Sequence, residues 1–150
     1  MKLKFISDHQ YQLDAVSSIT DIFQGQAIVQ ANFSVPASME NGPQRELQFQ
    51  NELGYANKLS LLDDELLKNV NQIQLRNGLP RSTDIQGRNF TVEMETGTGK
   101  TYVYIRTIYE LNKLYGFTKF IIVVPSVAIR EGVNKSLEIM KSHFKSLYDG

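Results

Sequence analysis

The stretch that decides the fold is residues 89–105, "NFTVEMETGTGKTYVYI". It opens with apolar and polar residues in alternation, a strand pattern. It then passes through "TGTGKT", residues 96–101, and continues as "KTYVYIRTIYELNKLY", whose spacing predicts a helix up to Gly116. Strand, glycine-containing turn and helix in that order are the setting of a phosphate-binding loop. A triphosphate needs many donors at close range. Glycine lets the backbone curl until its N–H groups converge, and the helix that follows adds unpaired N–H groups and the positive end of its dipole. In such a loop Thr96, Gly97, Thr98 and Gly99 cradle the phosphates. Lys100 reaches the β- and γ-phosphates, and the Thr101 hydroxyl serves a Mg²⁺ ion. The nucleotide and Mg²⁺ are the cofactors this pattern implies. The general pattern G-x-x-x-x-G-K-[ST] would put its first glycine at Met94, so the match fails at one position, which Gly97 partly offsets. The competing reading is a Gly-Thr turn followed by a chance Lys-Thr. A kinase-type glycine loop fits less well, because it lacks the Lys-Thr ending and lies between two strands.

Downstream, "FIIVV" (120–124) is a short β-branched run, as expected of a strand buried on both faces. "PSVAIREGVNKSLEIMKSHFKSLY" then predicts a helix with Ile129, Val133, Leu137, Met140 and Phe144 along one face. The 100–115 helix is expected to bury Tyr104, Ile108, Leu111 and Tyr115. Alternating strands and helices imply an α/β fold with a parallel sheet and right-handed crossovers. Glu93 is awkward in a central strand. Upstream, 8–24 reads as a helix with Leu13, Val16, Ile19 and Phe23 as its stripe, capped by Ser7 or Asp8 and ended by Gly25. A second helix is expected over 61–77, capped by Ser60 and closed by Gly78 and Pro80. Residues 26–58 are rich in Gln, Asn and Ser and carry Pro36 and Pro43, so they read as loop with short strands around "AIVQANFSV".

Composition narrows the possibilities without choosing among them. The chain has 150 residues, 41% of them hydrophobic, enough for one domain with a core. Lys plus Arg equals Asp plus Glu at 16 each, so no net basic field advertises a nucleic acid. The absence of cysteine excludes disulfides and thiolate metal sites and is compatible with a reducing, cytoplasmic setting. The N-terminus lacks the apolar run of a secretory signal, and "FIIVV" is too short to span a bilayer. His9 and His143 lack partners at metal-ligand spacing and are expected on solvated helix faces. Tyr102, Tyr104, Tyr109 and Tyr115 have the spacing of packing residues rather than of stacking platforms for bases.

The residues 90–133, "FTVEMETGTGKTYVYIRTIYELNKLYGFTKFIIVVPSVAIREGV", together with "YQLDAV" at 11–16, resemble the restriction (Res) subunits of type III restriction-modification enzymes, a branch of the superfamily 2 helicases and translocases. The resemblance covers 5–26 and nearly everything from 60 onward. It implies that residues 1–150 are the first part of an N-terminal RecA-like lobe, partial and P-loop-containing, with 89–150 as its βαβα core and 26–88 as a loop and helical insertion. It implies ATP as the nucleotide and Gln12 as the residue that reads the adenine edge, an amide being both donor and acceptor. By the same resemblance "PSVAIREG" corresponds to the motif that touches a DNA backbone, through Ser126 at a helix start and Arg130 one turn later. For Gln12 and Arg130 the plainer reading is a solvated helix residue.

Double-stranded DNA and a separate methyltransferase (Mod) subunit are the implied partners. The implied Asp-Glu pair, second lobe with its arginines and nuclease domain have no counterpart in these residues. "DDE" at 63–65 sits at an expected helix start, where carboxylates favour the dipole. The expectation is therefore the N-terminal segment of a larger ATP-dependent endonuclease, without turnover of its own. The rivals are a different superfamily 2 translocase and an inactive nucleotide-binding module.

Overall fold

The computed structural model describes residues 6–28, 31–33, 54–85 and 87–148. Four helices dominate them: α1 (Gln10–Thr20), α2 (Asp63–Arg76), α3 (Lys100–Tyr115) and α4 (Val127–Tyr148). A 3₁₀ turn, Asp21–Phe23, prolongs α1. Two three-residue strands, β1 (Ala31–Phe33) and β2 (Gly54–Ala56), pair antiparallel with Asn32 opposite Tyr55. They fall in the stretch expected to hold short strands. The remainder of 34–53 lies outside the described residues.

The expected parallel sheet is not formed. Among the described residues the β1–β2 pair is the whole of the sheet structure, and neither 89–95 nor 119–124 is a strand. The partial RecA-like α/β assignment is corrected accordingly to a mainly helical arrangement. The reason is physical. Alternation and β-branching say that a stretch suits a pleated surface, but a strand exists only when its N–H and C=O groups find a neighbouring chain. The downstream run meets a side chain instead. Asn57 Oδ1 accepts from the N–H groups of Thr118 (2.8 Å) and Lys119 (3.2 Å), and its Nδ2 donates to the Lys119 carbonyl at 2.6 Å. Beyond that clamp Ile121 and Val123 are 92% and 88% exposed. Glu93 is exposed too, so its charge meets no conflict.

Among the described residues three small cores hold the helices. Ala15 and Val16 of α1 pack on Val103 of α3, with Met94 against them. Tyr102 and Ile105 of α3 pack on Met140 and Phe144 of α4. Ile22, Leu61 and Leu66 form the third, with Val70 and Ile73 of α2 alongside. Because α3 is covered on two sides, its buried arc differs from the expected stripe. Tyr102, Val103, Ile105, Thr107 and Leu111 are buried, while Tyr104, Ile108 and Tyr115 are half-buried. On α4 only the C-terminal half meets α3. Met140 and Phe144 are buried, whereas Ile129 and Leu137 of the expected stripe are exposed.

Polar contacts fix these packings. Tyr115 Oη donates to the Thr20 carbonyl at 3.0 Å, and Arg106 donates to the Ser7 carbonyl. Asn69 Nδ2 donates to the carbonyls of Ile22 and Gln24. Helix α2 starts at Asp63, two residues later than its expected start at 61. Glu65 accepts from the Leu62 N–H at 2.8 Å, and Ser60 instead donates both its N–H and its hydroxyl to Gln26 Oε1. The acidic run at 63–65 therefore belongs to the helix start: Asp63 also pairs with Arg88 at 2.7 Å.

Candidate phosphate-binding loop

The loop is built by the sequence that precedes α3. Gly97 (φ 84°) and Gly99 (φ 85°) both take left-handed backbone that a residue with a Cβ rarely adopts. Gly99 is the residue before the first helical turn, and its carbonyl accepts from the Val103 N–H at 3.0 Å. Thr98 Oγ1 donates to the Glu95 carbonyl at 2.6 Å, closing the turn on itself. Lys100 opens α3, is exposed, and is in no ion pair among the described residues. Thr101 follows within the first turn and is half-buried.

Gln12 comes to this loop across most of the described chain. It is 7% exposed, and its Nε2 donates to the Thr98 carbonyl at 2.9 Å. Tyr11 Oη lies 3.5 Å from the same nitrogen, and the Tyr11 ring stacks on His9 at 5.6 Å. The α1–α3 core just below sets this approach. A cavity of about 1020 Å³ adjoins the loop at Glu95 and Thr98 and runs between Tyr11 and Asp14 of α1, Ile73 of α2 and Val92.

Ser126 and Arg130 are placed elsewhere. Ser126 starts α4: its Oγ accepts from the Ile129 N–H at 3.3 Å and its carbonyl from the Arg130 N–H. Arg130 is exposed and paired with its neighbour Glu131 at 3.1 Å. No hydrogen bond or ion pair joins either residue to the loop among the described residues.

One expectation about a single residue changes. His143 is not a solvated helix residue: it is half-buried and its Nε2 lies 3.0 Å from Tyr102 Oη. Burial, then the charge of Arg106, lowers its pKa below the ordinary histidine value. The tyrosines are packing residues, as their spacing implied. Tyr109 stacks on Phe144 at 5.1 Å and on Tyr148 at 4.9 Å. Tyr148 donates to Glu110 at 2.6 Å, and burial followed by that carboxylate raises its pKa well above the ordinary tyrosine value. Residue types and spacing gave no signal for the Thr98 carbonyl as a partner of Gln12, since a backbone acceptor leaves no mark in a sequence.

The loop's donor set fits a polyphosphate. Two glycines in left-handed backbone, a helix N-terminus and an unpaired lysine converge within 97–100. Among the described residues no group of three His, Cys, Asp or Glu side chains is arranged to hold a metal ion. No helix among them is long and apolar enough to cross a membrane.

The family described as "Type III restriction enzyme, res subunit" matches residues 6–148. The chain is 41% identical over 96 residues to the EcoP15I Res subunit of Escherichia coli, covering 61% of this chain and 10% of that one. It is 39% identical over 97 residues to the EcoPI Res subunit of Escherichia phage P1, with the same coverage. Against the StyLTI Res subunit of Salmonella typhimurium it is 49% identical over 63 residues, 41% of this chain and 6% of the relative. The aligned part thus spans about a tenth or less of each relative's length.

Proposed function

Since the chain belongs to the family of type III restriction enzyme Res subunits, we propose that it is the ATP-binding segment of such a subunit, an ATP-dependent motor coupled to DNA cleavage. The observation that carries this reading is the loop at 96–101, which opens α3 with Lys100 exposed and Gln12 set against its backbone. The N–H groups of 97–101 and the α3 N-terminus bind the phosphates of ATP. Lys100 adds a cation at the β- and γ-phosphates, and Thr101 supplies a hydroxyl to Mg²⁺. When bound, Mg²⁺ neutralises charge on the β- and γ-phosphates. Gln12 contacts the adenine edge with the part of its amide not engaged by Thr98.

The same reading extends to the partners. In the complete subunit the segment works on double-stranded DNA together with a methyltransferase (Mod) subunit, in the cytoplasm. Ser126 and the exposed Arg130 at the start of α4 face the DNA backbone. Their present bonds are weak ones for a phosphate to replace, a long N–H contact and an exposed ion pair. Residues 26–88 act as an insertion between the Gln12 helix and the loop, with 89–150 carrying the phosphate and DNA contacts. The 150-residue chain binds ATP without turning it over, because Lys100 and Thr101 hold phosphate and metal while the Asp-Glu pair that the resemblance implies for positioning an attacking water has no counterpart in this sequence.

Calorimetry with ATP and Mg²⁺ tests the site. Wild type should bind and Lys100→Ala should lose most of the affinity; equal binding by the two would remove the assignment. Phosphate release by the chain, with and without duplex DNA, tests the rest. DNA-stimulated turnover abolished by Lys100→Ala would contradict the claim that the hydrolytic parts lie elsewhere.

A further inference from the structure

Gln12 is buried to a degree unusual for an amide that serves only a ligand. At 7% exposure it lies inside the α1–α3 contact, and its Nε2 is 2.9 Å from the Thr98 carbonyl. The approach is tight. A Cβ built at Gly99 would stand 2.7 Å from the same Nε2, closer than real Cβ contacts come. So Gly99 is glycine for two reasons, its left-handed φ of 85° and the amide lying over it. The helix that delivers the amide is itself held at both ends, by Arg106 on the Ser7 carbonyl and by Tyr115 on the Thr20 carbonyl, with Ala15 and Val16 packed on Val103 between them.

The consequence follows from peptide geometry. A trans peptide is planar, and its C=O and N–H point in opposite directions. Holding the Thr98 carbonyl toward α1 therefore turns the Gly99 N–H away from α1. It also keeps a partial negative charge from facing the anion. If that peptide flipped, a donor would be exchanged for an acceptor one residue before Lys100.

We propose, resting on the phosphate-binding reading above, that Gln12 is a positioning residue for the loop. It locks the Thr98–Gly99 peptide in the orientation that offers the Gly99 N–H to phosphate, and so sets affinity for the triphosphate itself as well as for the base. Adenine recognition and phosphate binding then share one side chain, because the amide that faces the base from α1 is also hydrogen-bonded to the loop.

The test separates base from phosphate by using inorganic triphosphate, which has no base, beside ATP and GTP, each with Mg²⁺. The variants are Gln12→Met, which keeps the volume and removes the donor, and Gln12→Glu, whose carboxylate has no proton to donate. Both should weaken triphosphate binding by about five-fold, the order of one neutral hydrogen bond, and weaken ATP and GTP by at least as much. Unchanged triphosphate affinity in both variants, with Lys100→Ala still lowering it, would overturn the positioning role and leave the site standing. Triphosphate binding indifferent to Lys100→Ala would overturn the site reading and this inference with it. A measurement on the wild-type chain guards against variants that fail to fold. The scalar coupling across the hydrogen bond from Gln12 Nε2 to the Thr98 carbonyl carbon should be detectable by NMR without ligand, and its absence would also overturn the proposal.

Discussion

The loop at 96–101 and the run at 119–124 are neighbours in sequence on either side of α3, yet they end in opposite conditions. The turn of the loop is set by what it contains, and Gln12 then holds one of its peptides. Its glycines reach left-handed backbone, its threonine closes the turn, and the helix behind it supplies oriented N–H groups. The run depends on what it meets. "FIIVV" has the composition of a buried strand, but beyond the Asn57 clamp its side chains at 121 and 123 face solvent. Local geometry can be satisfied by a few residues acting together, whereas a strand's hydrogen bonds must be completed by another part of the chain. The contrast separates the parts of this molecule that carry stability from the parts that only carry pattern.

The largest expected effect lies in the packed half of that comparison. Phe144 is 2% exposed and stacks on Tyr102 at 5.2 Å and on Tyr109 at 5.1 Å. Phe144→Ala should cost about 3–5 kcal/mol, enough to abolish a cooperative thermal transition followed by circular dichroism. A loss below 1 kcal/mol would mean that α4 does not depend on that packing.

Next is the loop itself. Lys100→Ala should remove about 1.5–3 kcal/mol of ATP binding, the range for a hydrogen bond to a charged group, with no change in melting temperature because Lys100 is exposed. A parallel fall in stability would show that the lysine supports the fold.

A smaller effect is expected from pH. The folded pKa of His143 is depressed by burial and by Arg106. The unfolded chain therefore takes up the proton first as pH falls below about 6.5, and the stability present above that value is lost as pH falls through the folded pKa. The melting-temperature advantage of wild type over His143→Gln should shrink between pH 7 and pH 5. An advantage that grew with acidity would reverse the sign of the account.

The smallest change in stability belongs to the exposed run. Ile121→Lys and Val123→Lys should each move stability by no more than about 0.5 kcal/mol, as surface substitutions do. Both should reduce self-association in sedimentation, since an exposed apolar run favours contact between copies. A cost of 2 kcal/mol or more would show that these side chains are buried in solution.

What was legible in the sequence divides along the same line. Gly97 and Gly99 marked a tight turn leading into α3, and α1 and α2 lie close to their expected spans, because turns and amphipathic helices are encoded within a few residues. The strands were misread because alternation at 89–94 and β-branching at 120–124 describe a preference and not a partner. Gln12 was singled out by its likeness to a family motif, but its burial and its Thr98 partner depend on α1 packing on α3. His143 looked solvated because nothing within its own helix reveals Tyr102 across the interface. Ser126 and Arg130 were chosen by resemblance, and their local partners, the Ile129 N–H and Glu131, are those of an ordinary helix start.

The central claim is that a locally folded loop, held by Gln12, binds the phosphates of ATP. The most direct measurement is a titration of the wild-type chain with ATP and Mg²⁺, followed at the backbone amides by NMR. The account predicts saturable shifts concentrated at 96–101 and at the Gln12 side-chain amide, absent in Lys100→Ala. Shifts centred elsewhere, or the same shifts in Lys100→Ala, would contradict it.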